Sequence, residues 1–88
     1  MNYKVTYYDI ESDSRITKTC YDFQYPENCS TFKFTPVDDP VTIYKSIVID
    51  RPLISIYQTN SGVRITVEGY QYIKSGGYWK TDTIIECE

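Results

Sequence analysis

The chain contains no alanine and only one leucine, Leu53, and this pair of near-absences constrains its fold more than any motif does. Alanine and leucine are the residues that lose least entropy in a helix. Their place is taken by Ile, Val and Thr and by ten tyrosines, which fit the pleated, half-buried surface of a sheet. We therefore expect an all-β protein.

The length of 88 residues predicts one domain, residues 1–88, with a thin core. Alternating apolar and polar segments, with turn signals about every eight to twelve residues, predict six to seven strands. The predicted segments are 2–10, 15–23, 31–35, 41–50, 53–59, 63–74 and 78–88. This pattern is typical of a small antiparallel sandwich or a partly open barrel, in which the last three strands form a C-terminal meander.

Individual strands carry further signals. The imperfect alternation of 15–23 indicates an edge or bulged strand. Segment 41–50 is the most apolar, which predicts a central strand covered on part of both faces. In 63–74, Gly69 lies where the alternation changes from aliphatic to aromatic positions, and this phase shift predicts a bulge.

Glycines also mark two of the predicted hairpin turns. Asn60-Ser61-Gly62 is expected to form a three-residue loop, with the glycine available for a positive φ angle. Ser75-Gly76-Gly77 is expected to turn the chain again before the last strand.

The residue types that carry most protein chemistry are missing or dispersed. The chain has no histidine, which removes the commonest general base and every Ser-His or Cys-His pair. Its three cysteines, Cys20, Cys29 and Cys87, are too few and too far apart for a four-ligand zinc site. Asp38 and Asp39 are neighbours, as expected of a turn and not of a catalytic pair. We predict that the protein is not an enzyme and holds no metal or cofactor.

Charge and cysteine usage bear on location and partners. The net charge of −3 argues against direct binding to nucleic acid or to an anionic membrane surface. No segment approaches the roughly 20 apolar residues of a membrane helix. An odd cysteine count without an apolar signal segment indicates reduced thiols in a cytoplasm, the host cytoplasm if a phage encodes the chain.

The aromatic residues exceed what a thin core can bury, and the densest group surrounds the Gly76-Gly77 turn. Cross-strand packing within the sheet is one explanation for them. The other is a recognition face, because Tyr and Trp are enriched at interface hot spots. The candidate partner-facing residues lie between Glu68 and Lys80, and they are Glu68, Tyr70, Tyr72, Tyr78, Trp79 and Lys80.

These features favour a small acidic protein that binds a host protein and occludes one of its surfaces. The skewed composition is typical of an AT-rich phage or mobile element, whose small acidic proteins often inhibit host enzymes, including defence nucleases. An acidic rim around aromatic side chains suits a basic partner that handles nucleic acid. The alternatives are a structural subunit that assembles through exposed strand edges, and a module that binds single-stranded nucleic acid or sugar. Exposed edges also allow a homodimer.

Overall fold

The computed structural model describes residues 2–24, 31–38 and 45–87. Within these ranges the chain forms seven strands: β1 (Tyr3–Asp9), β2 (Ser14–Gln24), β3 (Thr31–Pro36), β4 (Lys45–Val48), β5 (Asp50–Thr59), β6 (Gly62–Tyr72) and β7 (Tyr78–Cys87). All pair antiparallel in one sheet of order β4-β3-β2-β1-β7-β6-β5. The predicted all-β class and the C-terminal meander are confirmed. Nowhere in the described ranges is there a helix of the length and apolarity that crossing a membrane requires.

The two edge strands of this sheet are consecutive in the chain. β4 lies at one end of the strand order and β5 at the other, yet only Ile49 separates them. The sheet must therefore curl until its two edges meet at this residue, although no ladder of hydrogen bonds among the described residues closes it. Of the two predicted architectures, this is the partly open barrel and not a sandwich of two sheets.

The inward positions of each strand form one core. On β1 the alternation buries Val5 and Tyr7, and on β3 it buries Phe32 and Phe34, as the sequence pattern predicts. The ring of Phe34 contacts Tyr7 edge-on, with centroids 4.9 Å apart. Among the described residues, the buried hydrophobic ones are Val5, Tyr7, Cys20, Phe32, Phe34, Ile47, Ile49, Ile65, Val67 and Ile85.

The prediction of a central strand at 41–50 is wrong. Residues 45–48 form the short edge strand β4, while 41–44 lie outside the described residues. Ile47 and Ile49 are buried but Val48 is 62% exposed, so the strand is covered on one face only. In the described part of this segment, Ile47 and Ile49 are apolar because they enter the core where the sheet edges meet.

The bulge predicted in β6 at Gly69 lies instead on the opposing strand β5, directly opposite this glycine. Gly69 pairs regularly with Thr81, and the inward parity of β6 continues through it to the buried Gln71. The register shift lies on the opposing strand β5, between Asp50 and Leu53, where Arg51 has a φ of 53°. A second shift between Cys20 and Phe23 confirms the bulge predicted in β2, which is an interior strand of the sheet and not an edge.

The turns follow the glycine signals with one adjustment. Thr59 pairs with Gly62, so the β5–β6 turn contains two residues, Asn60 and Ser61, where the sequence predicts three. Gly62 has the expected positive φ, 124°. The hydroxyl of Thr59 donates to the Gly62 carbonyl at 2.7 Å, which stabilises the tight turn.

Candidate functional site

Two tyrosine rings meet across the end of the β6–β7 hairpin. Tyr72 pairs with Tyr78, and their centroids lie 5.6 Å apart in an edge-to-face arrangement. The turn that aligns them is closed by the Ile73 N–H, which donates to the Gly77 carbonyl at 3.1 Å. Positive φ angles at Gly76 and Gly77 make this turn possible. The rings are 52% and 63% exposed, which leaves most of the pair available to a partner.

Trp79 lies beside this pair but has the opposite strand parity. It pairs with Gln71, whose side chain is buried, so Trp79 belongs to the inward row of β7. The row extends past the core at this end of the hairpin, and the indole is 60% exposed. Tyr72, Tyr78 and Trp79 together form an exposed group that we call the aromatic tip.

The other three predicted site residues are engaged within the sheet. The guanidinium of Arg51 lies over the Tyr70 ring, 4.3 Å from its centroid, and Tyr70 is partly buried. Lys80 forms an ion pair with Glu68 at 3.4 Å on the same face. The structure therefore brings the tyrosine pair together as predicted, places Trp79 on the other face of the same hairpin end, and assigns internal contacts to Tyr70, Glu68 and Lys80.

A cleft of about 400 Å³ lies next to the aromatic tip, and we call it the tip cleft. Three parts of the fold enclose it: the end of β1 with the following turn, strand β4, and the end of the β6–β7 hairpin. Its lining residues are Tyr8, Asp9, Ile10, Glu11, Lys45, Ser46, Ile47, Val48, Gln71, Tyr72 and Tyr78. Two members of the aromatic tip, Tyr72 and Tyr78, thus form one wall of a cavity.

Buried polar side chains line part of the tip cleft. Asp9 is 7% exposed, accepts a hydrogen bond from the Ser12 N–H at 3.1 Å, and pairs with the Lys45 ammonium at 3.2 Å. Burial disfavours the charged carboxylate, but the Ser12 hydrogen bonds and Lys45 outweigh it and lower the pKa of Asp9. Gln71 is equally buried, and its side-chain oxygen accepts a hydrogen bond from the Thr81 hydroxyl. These partners hold the polar groups of the cleft in fixed positions.

Tyr8 ties the hairpin turn to the rest of the barrel. Its hydroxyl accepts a hydrogen bond from the Lys74 N–H at 2.9 Å and donates one to Asp13, also at 2.9 Å. The β1–β2 turn and the β6–β7 turn are thereby connected through one side chain. This bridge fixes the aromatic tip relative to the cleft wall formed by β1.

Sequence reasoning missed Tyr8, Asp9, Lys45 and Gln71. A signal existed for two of them, because Asp9 and Gln71 occupy inward positions of strands whose other inward residues are apolar. A polar residue at such a position must find partners, and those partners usually belong to a site or a network. Within the described ranges, no group of three or more Cys, Asp or Glu side chains is arranged to hold a metal ion.

The chain was compared with protein families, with curated proteins and with solved structures. No protein-family model, curated protein or solved structure matches the chain. The aromatic tip and the tip cleft are therefore the features of this chain that bear on its function.

Proposed function

We propose that this chain is a protein-binding domain whose aromatic tip docks on a partner and occludes part of its surface. The supporting observation is the simultaneous exposure of Tyr72, Tyr78 and Trp79, each more than half accessible, at the end of one braced hairpin. Rigid aromatic side chains supply large contact area at little entropic cost, and they dominate interface hot spots.

The tip cleft supports the same proposal. Interface hot spots tend to insert into well-packed pockets on the other protein. A cavity of about 400 Å³ beside the aromatic tip offers such a pocket to one or two side chains of a partner. Tip and cleft would then interlock with the partner, the tip projecting into it and the cleft receiving a residue from it.

Charge suggests the class of partner. The net charge of −3 favours association with a basic surface, which is typical of proteins that handle nucleic acid. We propose a host protein of this kind, a defence nuclease among the candidates, inhibited because its functional surface is covered. The skewed composition, typical of a phage or mobile element, supports that last step.

The experiment is an affinity capture with matched variants. Tagged wild-type chain is incubated with a bacterial lysate, washed at high salt and analysed by mass spectrometry. The test variant is Tyr72→Ala with Trp79→Ala, and the control is Tyr21→Ala, since Tyr21 is 54% exposed on β2, away from the tip. We expect one stoichiometric partner with wild type and control. The double variant should bind at least about thirtyfold more weakly, as loss of a hot spot worth about 2 kcal/mol implies.

Circular dichroism decides how a negative result is interpreted. A folded double variant that retains wild-type affinity would contradict the assignment of the aromatic tip. Recovery of the bait alone, from the wild type as well, would contradict the protein-binding function.

The tip cleft also favours a second candidate, a ligand-binding module. Its volume lies within the roughly 300–1,000 Å³ of small-molecule sites, and tyrosine walls beside buried polar groups suit a sugar or a base. Titration of the labelled protein with sugars and short single-stranded oligonucleotides, followed by NMR, tests this. Saturable shifts at Tyr8, Gln71 and Tyr72 would favour it over protein binding.

A further inference from the structure

Strand β5 presents a long edge that carries no charge over most of its length. From Leu53 to Thr59 its sequence contains neither a charged residue nor proline. β6 covers one side of this strand, and no other strand in the described residues pairs with it. Leu53, Ile56 and Tyr57 are 63%, 65% and 52% exposed. An edge of this kind is a template for a further strand.

The other edge of the sheet is protected in the usual ways. Within the described residues, β4 comprises only Lys45–Val48 and carries the charged Lys45. Short length, lysine, proline and bulges are the devices that prevent edge pairing. β5 uses them only at its start, where Arg51, Pro52 and the bulge lie. The features that prevent edge pairing on β5 therefore end before Leu53, where its exposed apolar residues begin.

We propose that β5 pairs antiparallel with β5 of a second copy of this chain, so that two sheets join into one. In the register with a two-fold axis at Ser55, Leu53 lies opposite Tyr57 and Ile54 opposite Ile56. Residues opposite each other in a sheet point to the same side, so these contacts bring apolar side chains together on both faces. The inference is independent of the partner proposed for the aromatic tip.

Charge favours a second copy over a foreign strand. A two-fold axis places the uncharged segment against itself, and in this register Asp50 and Arg51 fall opposite Asn60 and Thr59. No like charges are then directly opposed, and a charged partner strand would find no counter-ion between Leu53 and Thr59. In a self-paired dimer, the uncharged segment of one copy therefore faces the same uncharged segment of the other copy.

The size of the contact sets its strength. Seven residues at about 3.3 Å each give a contact about 23 Å long and one strand wide. Stable interfaces bury about 1,200–2,000 Å², and a contact one strand wide and about 23 Å long lies below this range. We therefore expect a reversible, concentration-dependent dimer.

Sedimentation equilibrium of the full chain, from about 10 µM to about 1 mM, tests the dimer, since weak interfaces associate in this range. Wild type should pass from monomer to dimer. Ile56→Lys should weaken dimerisation at least tenfold, because it places a lysine opposite an apolar residue of each copy. The control is Tyr72→Lys, an equal change at an exposed residue of the aromatic tip, which should dimerise as wild type does.

Cysteine crosslinking tests the register. With Cys29 and Cys87 replaced by serine, Ser55→Cys places two thiols across the two-fold axis, within the Cα separation of about 4.4–6.8 Å that a disulfide requires. We expect rapid oxidation to a covalent dimer with Ser55→Cys and slow oxidation with Gln58→Cys, whose opposite residue is Pro52.

Three results would overturn the proposal. The first is a wild type that remains monomeric throughout the concentration range. If Ile56→Lys then also abolishes capture of a foreign protein, the β5 edge binds that protein and not a second copy. The second is a dimer that Ile56→Lys leaves intact. The third is faster crosslinking through position 58 than through position 55. If the tip variants lose partner binding but still dimerise, the dimer is shown to be independent of the aromatic tip.

Discussion

The side chain of Ile49 occupies the space that any side chain at position 69 would need. A Cβ atom added to Gly69 would collide with the Cγ2 methyl group of Ile49 and lie 2.9 Å from the carbonyl oxygen of Asp50. Gly69 pairs regularly with Thr81 on β7, and on its other side it faces the bulged residues Arg51 and Pro52 of β5. Position 69 is occupied by glycine because the segment that connects the two edge strands, at Ile49 and Asp50, packs directly against the backbone there.

Gly69→Ala should lower the free energy of unfolding by about 1–3 kcal/mol, as overpacking of a core does. Ile49→Ala alone should cost about 2–5 kcal/mol, because Ile49 is 1% exposed. In the double variant the smaller side chain at 49 makes room for the methyl group at 69. Urea denaturation should therefore show a double variant less destabilised than the sum of the single effects. Strict additivity would contradict the close approach.

Tyr7→Phe should stabilise the protein. The Tyr7 side chain is completely buried, and its hydroxyl has no hydrogen-bond partner among the described residues. Removing an unpaired buried polar group recovers about 1–3 kcal/mol, and the ring contact with Phe34 is retained. The exposed change Tyr72→Phe should alter the free energy of unfolding by less than about 0.5 kcal/mol. A destabilised Tyr7→Phe variant would show that the hydroxyl has a partner in solution.

The same hydroxyl predicts a loss of stability in alkali. Burial, and then the Asp9 carboxylate, raise the pKa of Tyr7 above its usual value of about 10. A group whose pKa is higher in the folded state stabilises below its unfolded pKa, and this contribution decreases as the pH rises above that value. Denaturation curves recorded above pH 10 should show a smaller decrease for Tyr7→Phe than for wild type.

Asp9 has the opposite effect on pH dependence. Its pKa is lowered by the Ser12 hydrogen bonds and the Lys45 ammonium, which outweigh burial. The stability that it contributes is present above its unfolded pKa of about 3.9 and is lost as the pH falls through the lower folded value. Asp9→Asn should therefore reduce the decrease in unfolding free energy between about pH 5 and pH 2.

Direct titration separates Asp9 from the other carboxylates. Carbon-detected NMR should give a pKa for Asp9 below the usual aspartate value in the wild type. The control variant Lys45→Gln removes the charged partner and should raise that pKa. An unchanged Asp9 titration in Lys45→Gln would show that the ion pair does not form in solution.

Cys20 should resist modification in the folded protein. Its side chain is completely buried, and burial, followed by the nearby Asp38, raises its pKa to about 11. Alkylating reagents attack the thiolate, which is scarce at pH 8 for such a thiol. Peptide mapping after iodoacetamide treatment should show Cys87, which is partly exposed, labelled before Cys20. Labelling of both at equal rates in the native state, and not only in urea, would contradict the burial of Cys20.

Local signals in the sequence were enough to predict the strands. The alternation that buries Val5, Tyr7, Phe32 and Phe34 and the glycine turns depend on neighbouring residues, so pattern reading located them within a few positions. The order of strands depends on contacts far apart in the chain. For this reason the alternation alone predicts a central strand at 41–50 and gives no sign of the contact between Gly69 and Ile49.

The candidate site also has one part that is local in sequence and one part built from distant strands. Tyr72 and Tyr78 belong to one hairpin, and the Gly76-Gly77 turn between them predicts their pairing. The polar part of the tip cleft combines Asp9 from β1, Lys45 from β4 and Gln71 from β6. No spacing rule relates residues on three separate strands. The cleft could therefore be found only once the curvature of the sheet was known.

The strand order divides the chain into two sequence-local meanders, β1–β4 and β5–β7. They are joined covalently through Ile49 at the sheet edges and by the β1–β7 ladder at its centre, where Tyr3 pairs with Cys87. Each meander can form from near neighbours, whereas the central ladder requires almost the whole chain to return on itself. Such distant pairings delay folding, because the entropy of loop closure is lost before their contacts form. The slow event for this protein is then the meeting of its first and last strands.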